Sequence, residues 1–296
     1  MRIKIFSSAG LWLSLVLLAL IALPLSAWSG SFDRGVLWEI SKAGQSSSYL
    51  LGTIHSDHAS VTNLPDPVKK VLDDSKSFTA ELDLNMSSML QAQMQMLLPD
   101  TKNLQSIIGA QQYKKCVALM ASYGVPEMLV DRMKPWAIAA QLNMPKPTTG
   151  VFLDLKLYQM AQQKGLKTYG LETVEEQMSV FGGMTEQQQK TMLDQAIKDY
   201  PGMPAKISSL IRYYLNRDLR GMLMFSEAEM KRADPALMEI IDKKLIKERN
   251  HRMVERMQPQ LADGKALIAV GALHLPGEQG ILQLLENRGY KVRALY

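Results

Sequence analysis

The sequence predicts an α/β (α+β) fold: a central, mostly parallel sheet built from two similar halves, with a large helical insertion between them. Three observations carry this. Short runs of strand character cluster near both ends of the chain, in residues 36–84 and 265–296. Both clusters share one layout: an apolar strand, Gly-x-x-His, a loop with Leu-Pro, a helix and a further strand. The stretch between them, about residues 86–262, is dominated by apolar spacing near 3.6.

Taken in order, residues 1–29 carry Arg2 and Lys4, an apolar run over 11–23, Pro24, and Ala27-Trp28-Ser29 in the small-x-small form of a cleavage site. This reads as a secretory signal, which implies a periplasmic or secreted protein. An uncleaved N-terminal anchor is the alternative, because the run approaches membrane-spanning length. Pro24 and the small residues directly after it favour cleavage. Residues 30–296 then form a single domain, with no second apolar run long enough to span a membrane.

In the first half, VLWEIS and SSYLLGTI are strands, LPDPVKKVLDDSK is a helix started by proline, and SFTAELDL is a third strand. In the insertion, segments such as PWAIAAQL, FLDLKLYQMAQQKG and the long ALMEIIDKKLIKERNHRMVERMQPQLADG have helical spacing, and LKTYGLE is the one strand. In the last part, KALIAVGALH is a buried strand, LPGEQGILQLLENRG a helix closed by Gly289, and YKVRALY a final strand. The repeated layout, Gly52-Thr53-Ile54-His55 and Gly271-Ala272-Leu273-His274, implies two βαβ units in one sheet.

Composition limits the function classes. The 296 residues are 47% hydrophobic, ample for a sizeable core. The formal charge is +5, and losing Arg2 and Lys4 with the leader leaves +3. No Lys/Arg cluster is interleaved with aromatics, which argues against nucleic acid as a partner. Cys116 stands alone, so no intrachain disulfide and no Cys-x-x-Cys centre exists. It reads as a small packed side chain rather than a nucleophile. The signatures His-Glu-x-x-His, Gly-x-Ser-x-Gly, Gly-x-x-x-x-Gly-Lys and Gly-x-Gly-x-x-Gly are absent.

The chain has four histidines, and two of them, His55 and His274, end strands in matched contexts. Side chains at such positions project into the crevice beyond the carboxyl ends of α/β sheets. The preceding Gly52 and Gly271 remove bulk and let a ligand or metal approach the backbone. A shared site outweighs two unrelated packed histidines. Glu81 and Asp83 lie on one face of the next strand. Glu81, in an apolar pattern, needs a charged partner or a metal, and a salt bridge to a core arginine explains it equally well. Glu172 ends the inserted strand. Thr173 and Glu176 form a capping box there, which leaves Glu172 unexplained. Arg249 and Asn250 lie on a long charged helix, for which a solvated basic face is the simplest account. His58 and His251 read as surface or supporting residues. Met86, Met89, Met94 and Met96 lie in one helix that reads as adaptable core, with a groove for apolar or peptide ligands as the alternative.

Together YLLGTIHSDH, FTAELD, YGLETVEEQ, ERNHRMVERM and IAVGALHLPGEQGILQLLENRGYKV resemble the TraB/PrgY/GumN family, which includes the Tiki membrane-anchored proteases. The resemblance runs from about residue 36 to the C-terminus. It implies a fold shared with erythromycin-esterase-like and haem-binding ChaN-like proteins. It also implies a metal-dependent peptidase that uses both Gly-x-x-His motifs and the glutamate, here His55, His274 and Glu81. Glu172, Arg249 and Asn250 match further family-typical positions. On this reading His55, His274, Glu81 and Glu172 would hold a divalent cation, of manganese, cobalt, zinc or iron, with Glu81 as general base and Arg249 at the developing oxyanion. Two alternatives stay open. One is a metal-independent, esterase-like hydrolase in which a histidine activates water, and the other is a non-catalytic protein that captures a peptide or haem-type ligand.

Overall fold

The computed structural model describes residues 32–232, 243 and 246–296. The expected leader, and residues 236–242 and 244–245 of the expected long helix, lie outside the described residues.

The six expected strands form one sheet: β1 (Leu37–Ser41), β2 (Ser48–Thr53), β3 (Ser77–Leu82), β4 (Lys167–Glu172), β5 (Ala266–Gly271) and β6 (Lys291–Ala294), in the order β4-β3-β5-β2-β1-β6. The pairs β3–β4, β3–β5 and β2–β5 are parallel, and β1 is antiparallel to both β2 and β6. β5 is buried on both faces for five residues, which suits the continuous run Ala-Leu-Ile-Ala-Val at the centre of a parallel sheet.

The helices used below are α1 (Asp66–Asp74), α2 (Met86–Gln95), α3 (Pro135–Leu142), α4 (Leu153–Gln163), α5 (Val174–Gly182), α6 (Glu248–Arg256) and α7 (Ile281–Asn287). The two βαβ units interleave. β2–α1–β3 steps over β5, whereas β5–α7–β6 steps the other way over β2 and β1. The general preference for right-handed crossovers puts two such opposite steps on opposite faces, the arrangement that favours a crevice at the carboxyl ends of β2 and β5. There Thr53 pairs with Gly271.

Two hydrophobic clusters support this frame. One surrounds the sheet and includes Trp38, Phe78 and Leu267. The other lies within the inserted helices, around Trp136, Leu142 and Leu193, with Trp136 stacked on Phe181 at 4.7 Å between ring centroids. Cys116 belongs to the second cluster, and burial pushes its thiol up to about 12, as expected of a packed side chain. No helix among the described residues is long and apolar enough to cross a membrane.

One expectation is overturned. The core reading of the methionines fails for α2, which buries none of its ten residues. Met86, Met89, Leu90 and Met94 are exposed, and only Met96, just beyond the helix, packs on the second cluster. The i, i+3, i+4, i+8 spacing marks an apolar face correctly, but spacing does not say whether anything covers it.

Candidate functional site

Four neighbouring parallel strands end at the same edge of the sheet, and each delivers one of the expected side chains. Along the edge, β4 ends in Glu172, β3 carries Glu81, β5 leads through a 3₁₀ turn to His274, and β2 leads to His55. α6 lies over the first three and contributes Arg249, Asn250 and Arg252.

Arg249 is the hub. Its Nη2 donates to Glu81 Oε2 at 2.6 Å and lies 2.7 Å from Glu172 Oε2, while its Nε donates to Glu172 Oε2 at 2.8 Å. Its Nη1 lies 3.4 Å from His274 Nε2. The solvated-face account of this residue is wrong: Arg249 is 5% exposed. Two buried carboxylates need a cation, and a guanidinium answers both with one rigid fork. Arg252 holds the other oxygen of Glu172 at 2.8 Å, and Arg256 forks onto Glu176 and reaches the Leu171 carbonyl. Glu172 has no side-chain exposure at all, so these arginines supply the explanation that the capping box leaves out.

Glu81 keeps the site's path to solvent, with 22% side-chain exposure. Its Oε1 accepts the Gly271 backbone N–H at 2.7 Å, and Gln177 Nε2 of α5 donates to its Oε2 at 3.1 Å. Burial alone would raise this carboxyl. His274, Arg249 and the Gly271 N–H outweigh burial and hold it down to about 2.

The hydrogen bonds of His274 define its tautomer. Asn250 Nδ2 donates to the Gln279 carbonyl at 2.7 Å, which turns Asn250 Oδ1 towards His274 Nδ1, 2.6 Å away. Nδ1 therefore carries the proton and Nε2 the lone pair. Burial is the main cause that lowers the His274 pKa, with Arg249 acting the same way against the pull of Glu81. His274 Nε2 lies 3.7 Å from Glu81 Oε1, close enough for one water to hydrogen-bond to both at about 2.8 Å.

His55 lies two residues beyond the end of β2 and has other neighbours. Its ring stacks on Phe152 at 5.8 Å, and its Nδ1 pairs with Asp154 Oδ2 at 3.3 Å. Among the described residues it makes no hydrogen bond or ion pair to Glu81 or His274, in place of the expected meeting. The two glycines also divide. A Cβ on Gly271 would sit 3.3 Å from Glu81 Oε1, so this glycine lets the carboxylate reach the backbone. A Cβ on Gly52 would meet Leu275 Cδ1 at 2.7 Å, so that glycine makes room for core packing rather than for a ligand. His58 caps a short helix and His251 is exposed beside Gln279. Asp83 accepts from Tyr158 at 2.7 Å, away from the cluster.

Sequence reasoning missed Gln177, Arg252, Arg256 and Asp154. For the arginines a signal exists: positions 249, 252 and 256 share one helical face, matched to Glu172 and Glu176 four apart. Gln177 and Asp154 carry no local signal.

The cluster does not fit a metal ion as it stands. Among the described residues no group of three or more His, Cys, Asp or Glu side chains is arranged to hold one. Both oxygens of Glu172 and one of Glu81 are committed to arginine, which leaves His274 Nε2 and Glu81 Oε1 as a two-donor pair. Hydrolytic zinc sites use three protein ligands.

Residues 36–294 match the TraB/PrgY/gumN family. Metalloprotease TIKI2 of Xenopus tropicalis is 26% identical over 303 residues, covering 83% of this chain and 57% of that protein. Metalloprotease TIKI1 of Homo sapiens is 25% identical, covering 86% and 61%. The protein YbaP of Shigella flexneri is 22% identical, covering 87% and 96%. The chain thus spans a little over half the length of the Tiki relatives it matches. No solved structure matches it. The chain belongs to the TraB/PrgY/gumN family.

Proposed function

We propose that this TraB/PrgY/gumN family member is a peptidase-type hydrolase whose reaction centre is the Glu81–Arg249–His274 cluster. The observation that carries the reading is a buried, neutral imidazole with its lone pair 3.7 Å from an ionised carboxylate and against a guanidinium. Titratable groups held apart in this way are the usual basis of acid–base division. The Tiki relatives, named metalloproteases, support hydrolysis of peptides over other chemistries.

In this reading one water hydrogen-bonds to Glu81 Oε1 and His274 Nε2. As it attacks the scissile carbonyl, its proton passes to Nε2, and Asn250 Oδ1 steadies the imidazolium through Nδ1–H. Arg249 stabilises the negative charge that develops on the carbonyl oxygen. His274 then returns the proton to the leaving nitrogen as the bond breaks. The proposal includes residues 30–296 as one domain that works outside the cytoplasm after loss of a leader, with a peptide or small molecule as its partner.

The relatives' name favours a second reading, in which manganese, cobalt, zinc or iron is bound by His55, His274, Glu81 and Glu172. Such a cation would supply Lewis-acid polarisation. Since the donors do not fit it as they stand, no step is drawn through it. The test is digestion of a degenerate peptide library by the mature chain, read by mass spectrometry, with and without chelator and added manganese, cobalt or zinc. Cleavage that survives chelation and disappears in His274→Gln supports the first reading. Cleavage that depends on an added cation moves the function to the second. No cleavage under any condition overturns both.

A further inference from the structure

We infer that Asp154 is a positioning residue for His55: it fixes the imidazole with its proton on Nδ1 and its Nε2 lone pair outward. Asp154 lies in the first turn of α4, about 100 positions along the chain from His55. Its Oδ1 accepts from Thr53 Oγ1 at 2.6 Å, which fixes the carboxylate to the end of β2. That leaves Oδ2 shielded from solvent without an in-line hydrogen bond, and His55 Nδ1 is 3.3 Å away. A small ring rotation converts this contact into an Nδ1–H···Oδ2 bond, and such bonds are commonly long before substrate binds. Phe152 stacks against the same ring and limits its rotation.

The two segments are tied together independently of the His55 side chain. Asp57 Oδ2 accepts backbone N–H groups of Thr148, Thr149 and Gly150 at 2.6, 2.6 and 3.0 Å, and Leu153 N–H donates to the Ser56 carbonyl at 3.2 Å. The loop after β2 therefore carries His55 to Asp154 as a rigid pair. A merely favourable acid at the start of α4 would explain the charge of Asp154. It would not explain why Thr53 turns one oxygen away while the other is sealed against an imidazole that is itself 64% exposed. Whether His55 serves as a base or as a ligand, the atom that works is one with a lone pair, and a carboxylate behind the other nitrogen is how histidines are set for either task.

The inference rests on the proposed function only through its second reading, the one that places His55 in the site, and its test does not need activity. The four histidines give few enough signals for long-range ¹H–¹⁵N correlation spectra of ¹⁵N-labelled mature protein, with His55→Gln identifying the His55 signals. With the ring neutral, the expected result is the Nδ1–H tautomer in the wild type. In Asp154→Asn the signal moves towards the Nε2–H form that a free histidine side chain prefers. An Nε2–H tautomer in the wild type, which needs no variant, overturns the inference. So does an unchanged Nδ1–H tautomer in a folded Asp154→Asn. On a peptide that the wild type cleaves, Asp154→Asn is expected to lower kcat about 10–100-fold with KM little changed. The predicted tautomers with full activity in both His55→Gln and Asp154→Asn would leave the positioning intact and remove His55 from the reaction.

Discussion

Arg249→Leu removes the guanidinium that touches both Glu81 and Glu172. Those two carboxylates lie 2.6 and 2.7 Å from the same Nη2, so they are no further apart than the two distances end to end. Breaking a buried ion pair by removing one partner costs about 3–5 kcal/mol. Arg252 still holds Glu172, and Gly271 and Gln177 still hold Glu81, so the lower end, about 3 kcal/mol at pH 7, is expected. The native Glu81 carboxyl is held at about 2, below its ordinary value near 4.5, so the stability its pairing contributes is present above that ordinary value and fades as pH falls towards 2. The difference between wild type and Arg249→Leu should shrink over the same window. Arg249→Lys keeps the charge but loses the fork, and should fall between them. The assay is urea unfolding at pH 7, 5 and 3.5, with m-values checked for equality. A loss under about 1 kcal/mol at pH 7, or a loss independent of pH, would refute the reasoning.

Further consequences follow from the same contacts. Asn250→Ala removes the acceptor of His274 Nδ1–H, so kcat on a cleaved peptide should fall about 10–100-fold and the His274 signals in ¹⁵N spectra should show loss of the single Nδ1–H tautomer. Burial holds the His274 pKa below 6.5, so the unfolded chain takes up a proton that the native protein resists as pH drops through that value. Stability should therefore begin to fall below about pH 6.5, and His274→Gln should flatten that part of the urea-midpoint profile. Gly271→Ala presses on Glu81 Oε1 rather than on the core, so it should reduce activity with little change in Tm, whereas Gly52→Ala drives into Leu275 and should lower Tm.

The strands were legible because their chemistry is local. Ala-Leu-Ile-Ala-Val before Gly271 has no amphipathic alternation and is short and closed by glycine, as suits a strand buried on both faces, and Lys-Val-Arg-Ala alternates as an edge strand should. The matched Gly-x-x-His layouts lead from β2 and β5, which pair in the sheet, to His55 and His274 just beyond the strand ends. Tertiary pairing was not legible. Charged α6 reads locally as solvated, and only contact with Glu81 and Glu172, 168 and 77 positions away, makes Arg249 a buried hub. The apolar face of α2 reads as core because periodicity reports a face without its partner. The partners of His55 escaped for the same reason, since Asp154 sits in an ordinary first helical turn. Arg252 and Arg256 were within reach, because they lie four apart, as do their partners Glu172 and Glu176.

The central claim is that Glu81, Arg249 and His274 act together on a peptide bond. It is tested most directly by measuring kcat/KM for the mature protein, His274→Gln and Glu81→Gln on the best-cleaved library peptide, with circular dichroism and Tm recorded for each. The account predicts that both variants stay folded and lose at least about 100-fold in kcat/KM, the scale of a lost general base. A folded His274→Gln or Glu81→Gln that cleaves the peptide within about threefold of the wild type would contradict it.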